Sequence, residues 1–113
     1  MKNVPYTEIP GKPADDPAAS GVTMRIVIGP KDGAPHFVMR VFTVEPGGHT
    51  PRHRHSFEHE VFVHEGRGEA FYEGKTSPMG PGHIIYVPPD ALHQFVNTGK
   101  EPLVFVCVVP RID

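Results

Sequence analysis

Between residues 22 and 110 the apolar residues fall in short runs, many alternating with polar ones, and glycine or proline cuts each run. Alternation with a period of two places one set of side chains on one face of an extended strand. The runs predict strands near Thr23–Ile28, Phe37–Val44, His49–His55, His59–His64, Gly68–Tyr72, His83–Val87, His93–Asn97 and Leu103–Val109. The breaks GPKDGAP, EPGG, EGRG, EGKTSPMGPG, PPDA and NTGKEP read as turns. Nowhere do apolar residues recur at i, i+3, i+4 and i+7 over three turns, so almost no helix is expected. Short strands at this spacing predict an all-β fold, an antiparallel sandwich or barrel.

Residues 1–20 differ. They carry Pro5, Pro10, Pro13 and Pro17 and the Asp15-Asp16 pair, with no periodicity. This is an extended N-terminal arm, either loose or crossing onto a partner subunit. Residues 21–113 then form a single domain without internal repeats. The runs FVMRVFTV and LVFVCVV are apolar on both faces. A strand covered on both sides lies between a core and something else, and a partner subunit is the economical candidate, so a homodimer is expected.

Composition narrows the function. The 113 residues suffice for one core, and 38% of them are hydrophobic. Eleven basic and thirteen acidic residues nearly cancel, which leaves no field for nucleic acid or anionic lipid. The longest apolar run is about seven residues, against roughly 20 needed to cross a bilayer. The N-terminus, MKNVPYTEIPGKP, lacks an apolar leader core and reads as cytoplasmic. A single cysteine rules out an internal disulfide and fits a reducing compartment. The eight histidines point to metal.

Four histidines carry that reading. His53, His55 and His59 share parity, and Val61 and Val63 follow on the same face. Arg52, Arg54, Glu58, Glu60 and His64 occupy the opposite, solvent-facing parity. Three neutral imidazoles buried together each need a donor and an acceptor partner, and a metal resolves the conflict. His93 opens a strand after the Pro88-Pro89 turn, a natural place for a fourth ligand. Four neutral ligands leave the +2 charge of the ion uncompensated, which makes it a strong Lewis acid. Imidazole suits Zn, Cu, Fe and Ni and does not exclude Mn. Glu60, next to His59, is assigned as a carboxylate in solvent or as an outer partner to the ligands. His36, His49, His64 and His83 share no face with the cluster and read as turn or surface residues.

These segments resemble the two motifs of the cupin superfamily. Gly47, His53, His55 and Gly66 fit the first, with His59 where that motif usually has Glu. Gly82, Pro88, His93 and Asn97 fit the second, with Asp90 at a turn position usually held by Gly. The resemblance spans residues 36–110 and points to small single-domain cupins with a four-histidine site. It implies a cupin barrel, a jelly-roll-like sandwich of two antiparallel sheets with the metal inside one end.

Resemblance to cupin dioxygenases implies an oxidoreductase in which one divalent metal per chain (Mn, Fe or Cu) uses dioxygen or a peroxide on a small organic substrate. Zn or Ni would serve the alternatives. One is a non-redox isomerase or lyase of a small sugar or keto acid, which needs a base that the inward parity does not offer. The other is a binding module without turnover. Arg40 interrupts an apolar run and either snorkels to the edge or holds a substrate oxygen. Phe105 and Cys107 share parity with Leu103 and become pocket walls if that face lines the interior.

Overall fold

The computed structural model describes residues 1–111. Among them it has nine strands and two 3-10 turns, at Tyr6–Glu8 and Pro30–Asp32. The strands are β1 (Lys12–Pro13), β2 (Ser20–Ile28), β3 (Phe37–His49), β4 (His59–Glu65), β5 (Gly68–Tyr72), β6 (Lys75–Met79), β7 (Ile84–Val87), β8 (His93–Val96) and β9 (Leu103–Pro110). All pairings are antiparallel, in the order β6-β5-β8-β3-β9-β4-β7, with β2 on the free side of β3 and β1 on β2. The all-β expectation therefore holds.

β3 makes the curl. Residues Phe37–Val44 run between β2 and β9, while His49 at its far end pairs with Val96 of β8. One long strand thus serves both layers. Asn97 clamps the bend: its side-chain amide donates to the Val44 and Glu101 carbonyls at 2.8 Å each, and its Oδ1 accepts from Gly99 N–H at 2.8 Å. All three contacts satisfy a fully buried amide. Gly66, between β4 and β5, has a left-handed φ of 83°, and a Cβ there would run into the Pro102 carbonyl. Only glycine fits both demands.

Inward-facing residues of β3, β4 and β9 build the core, with Val44, Val61, Val63, Leu103, Phe105 and Cys107 buried together. The outward set Val41 and Val104 is also buried, with Val27, under Tyr6 and Ile9. The second apolar face of β3 and β9, which the sequence assigned to a partner, is therefore covered in part by the chain's own arm. Arg25 Nε donates to the Ile9 carbonyl at 2.9 Å, and Lys2 Nζ donates to the Val27 carbonyl at 2.7 Å and pairs with Asp32 at 2.9 Å. Further along, the arm turns inward, and Ala14 and Ala19 pack against the main core.

Two sequence expectations need correction. Beyond the His49 end of β3, residues 50–58 are not a strand; they form a loop with one isolated bridge, His53 to His93. The segment read as a turn at EGKTSPMGPG contains β6. Glu73 and Gly74, at φ 45° and 85°, make the two-residue turn that hairpins β5 onto it. β6 is an outermost strand, where Pro78 removes no needed ladder bond. The other outermost strand, β7, is different in character: Ile84 is 81% exposed and Tyr86 61%.

Candidate metal centre

The site lies where the loop 50–58 meets β8. Thr50 N–H donates to the Phe95 carbonyl at 2.9 Å, and Thr50 Oγ1 accepts from Phe95 N–H at 2.8 Å. His53 and His93 exchange backbone bonds of 3.2 and 3.0 Å, and Asp90 N–H donates to the His55 carbonyl at 2.8 Å. These bonds order a loop that has no ladder of its own. They also set its alternation: Arg52, Arg54, Ser56 and Glu58 point to solvent while His53, His55 and Phe57 point inward. His59, the first residue of β4, enters from the next sheet position and is buried.

One ring nitrogen from each of His53, His55 and His93 lies within 4.8 Å of the others. Ligands about 2.0–2.1 Å from a common ion are of necessity closer than that to one another, so the spacing suits a metal after slight contraction. The His59 ring is stacked on His55, with centroids 4.3 Å apart, and its Nε2 is 2.5 Å from His55 Nε2. His59 thus adjoins the group of three.

Hydrogen bonding decides which nitrogens are available. His55 Nδ1 faces the Phe57 carbonyl at 2.9 Å, and His93 Nδ1 faces the Ala91 carbonyl at 2.9 Å. A carbonyl only accepts, so each Nδ1 carries the proton and each Nε2 presents a lone pair. In His59 the place of the carbonyl is taken by Cys107 Sγ, 2.9 Å from Nδ1. Phe57 stacks on His55 with centroids 4.0 Å apart and fixes the ring plane. Lone pairs of neutral imidazoles turned toward one another in a buried place need a cation between them, so the donor set fits a divalent metal.

Electrostatics favour the neutral form of His53, His59 and His93. Burial pushes His59 down to about 3, and the neighbouring His55 and Arg40 charges act in the same direction. Burial lowers His93, with its bond to Ala91 opposing. Burial also lowers His53, helped by His93 and His55, while the Asp16 carboxylate opposes. Burial raises the Cys107 thiol, against the pull of Arg40, so sulfur stays protonated.

A cavity of about 200 Å³ adjoins the cluster. Its walls include Arg40, Phe42, Phe57, Phe95, Phe105 and Cys107, and the arm contributes Ala14 and Asp16. Arg40 therefore points inward; its Nη2 donates to Cys107 Sγ at 3.2 Å, and Phe42 lies under the guanidinium at 5.0 Å. Glu60 is elsewhere. It is exposed on the outer face of β4, so its assignment as an outer partner to the ligands is corrected. Asp16 was missed, because nothing in a proline-rich arm says where it docks. Phe57 was missed because it falls between two predicted strands, where no face was assigned to it.

The Cupin domain family matches residues 40–109. The chain is similar to the polyketide cyclase RemF from Streptomyces resistomycificus, with a TM-score of 0.92 and 37% identity over 97% of this chain and 79% of that one. It is 37% identical over 71 residues to the 1-methylthio-D-xylulose 5-phosphate methylsulfurylase of Rhodospirillum rubrum, covering 63% of this chain and 46% of that protein. It is 50% identical over 38 residues to the glucose-6-phosphate isomerase of Thermococcus kodakarensis, covering 34% of this chain and 20% of that protein. The chain thus spans less than half the length of these two curated relatives.

The depressed His59 sets a pH dependence for the metal-free protein. The unfolded chain takes up a proton at this ring near pH 6.5, and the folded chain refuses it until about pH 3. The unfolded state binds more protons in that window, so stability falls as the pH is lowered, by up to ~1.4 kcal/mol per unit. Urea denaturation of the metal-free protein at pH 7, 6 and 5 should show the fall, and His59→Gln should reduce it, the remainder belonging to the depressed His53 and His93. An unchanged slope in the variant would assign the effect to other groups.

Proposed function

The chain belongs to the cupin domain family, and on that premise we propose that it is a metal-dependent enzyme of non-redox carbonyl chemistry, moving a proton next to the carbonyl of a small, largely apolar substrate. The observation that carries this reading is the Asp16 carboxylate on the wall of the cavity that also holds the histidine cluster. The sequence offered no inward carboxylate, and the arm brings one, exposed to solvent, to the rim of the cavity. Cyclisation and isomerisation are the activities in the names of two of the similar proteins.

The ligands in this reading are His53, His55, His59 and His93, with one divalent transition metal per chain. When bound, that ion supplies a Lewis acid that draws electron density from a carbonyl oxygen. The protein does the rest. Asp16 Oδ1 accepts from Ala18 N–H at 2.8 Å, which fixes the carboxylate's direction at the cavity wall, and the carboxylate takes the proton from the carbon beside the carbonyl. Phe42, Phe57, Phe95 and Phe105 hold an apolar body and keep water out. Cys107, packed between Arg40 and His59, holds the His59 ring by its Nδ1 side. Neutral ligands suit this chemistry because they leave the charge of the ion undiminished.

Protein purified without a tag should contain about one metal ion per chain by plasma mass spectrometry. His55→Ala should weaken metal binding at least roughly tenfold with the β circular dichroism intact, and so should His59→Ala, whereas Glu60→Ala should not. Metal retained in His55→Ala and lost in Glu60→Ala would reverse the ligand assignment. Zn or Ni would support the non-redox reading; Fe, Mn or Cu together with substrate-dependent oxygen uptake would replace it with the oxidoreductase.

The proton transfer is open to a direct test with 1-phenylbutane-1,3-dione in deuterium oxide. The metal-loaded protein should speed deuterium exchange at the carbon between the carbonyls, and Asp16→Asn should slow it by roughly 10²–10⁴-fold without loss of metal. Equal rates in the two proteins would remove Asp16 from the reaction.

For assembly, a homodimer is proposed through the β7 side, where Phe62, Ile84 and Tyr86 are exposed. Sedimentation should give two copies, and Ile84→Lys should give one; a wild-type monomer would reject the interface.

A further inference from the structure

Arg40 is a cation inside the fold with no anion to match it. Its Nη2 meets a thiol at 3.2 Å and a ring nitrogen of His59 at 3.5 Å. Neither is a carboxylate, and among the described residues no ion pair includes Arg40. Asp16 shares the cavity but is not within ion-pair distance. The Nε of Arg40 is shielded from solvent and has no hydrogen-bond partner. Guanidinium groups placed among apolar side chains ordinarily find charged or hydrogen-bonding partners, because a buried unmatched charge and an unmade bond both cost free energy. Here the neighbours on the cavity wall are Phe42, Phe105 and Val22.

We infer that Arg40 is a binding subsite for the anionic oxygens of the ligand, and that the ligand is a compact apolar carboxylate. The guanidinium is a planar fork that matches the two oxygens of a carboxylate. The aromatic walls accept a ring or short hydrocarbon, which suits a cavity of about 200 Å³. This deepens the proposed function, on which it rests: the carbonyl chemistry acts on a molecule whose carboxylate Arg40 holds.

The probes are 3-phenylpropanoate and its neutral isostere 3-phenylpropanamide, titrated calorimetrically into the full chain, with its metal and after metal removal. The carboxylate should bind at least roughly tenfold more tightly than the amide in both forms, and Arg40→Met should abolish the difference while keeping its metal. Equal binding of the two probes by the wild type overturns the inference. So does a preference that survives in Arg40→Met, and one that disappears with the metal shows the ion to be the anchor instead. A protein that carries no metal yet keeps the Arg40-dependent preference sinks the metal reading and leaves the subsite standing. Should Arg40→Met not fold, the Arg40 Nε–H resonance of the wild type reports directly. It should move on addition of the carboxylate and not of the amide, and a resonance indifferent to both rejects the subsite.

Discussion

Two backbone hydrogen bonds, exchanged between His53 and His93, fix everything the site does. The loop 50–58 has no partner strand along its length, and ordering its residues costs roughly 1–2 kcal/mol each in backbone entropy. The bridge, flanked by the Thr50–Phe95 and Asp90–His55 contacts, supplies the order that a ladder would otherwise give. With the bridge in place, His53 and His55 point inward by simple alternation and His93 meets them from β8. β4 then starts at the right point to bring in His59. The position of every candidate ligand traces to one residue pair far apart in sequence.

The same arrangement carries an electrostatic debt. Imidazoles kept neutral by burial turn lone pairs toward one another, and a guanidinium sits close by without a counter-charge. Neither feature stabilises an empty barrel. Both would be relieved by the proposed ligands: a cation among the rings, and an anion on the arginine. Whatever binds only the folded chain adds its binding free energy to folding. The barrel itself rests instead on the fully buried Val44, Val63, Leu103 and Phe105 and on the saturated amide of Asn97.

Much of this was legible in the sequence, though not always for the right reason. The all-β class and most strand positions followed from alternation that burial then enforced. His53 and His55 were placed together by strand parity, yet they lie in a loop; the alternation persists because the loop is extended beside β8. β6 went unread since EGKTSPMGPG, with its glycines and prolines, reads as a turn, yet Pro78 is tolerated in a strand at a sheet edge. Glu60 sits beside His59 in sequence and on the opposite face of β4 in space. Asp16 belongs to an arm whose composition says only that it is not helical. Where it lands depends on tertiary contacts, such as the Ala14 amide bonding to the Val22 carbonyl, that no local pattern encodes.

The two outermost strands differ in a way that bears on how far association can run. β6 bears Lys75 and Pro78, a charge and a residue without an amide proton, both of which discourage a further strand from docking. β7 offers Ile84 and Tyr86 with no such guard. A barrel with two adhesive rims could grow into a filament, each copy presenting a fresh edge to the next. In the proposed dimer, joining two copies across a two-fold axis through β7 would consume that adhesive rim in both and leave the guarded β6 rims outward. In that dimer the asymmetry of the edges would act as a chain terminator, limiting growth through β7 to a pair.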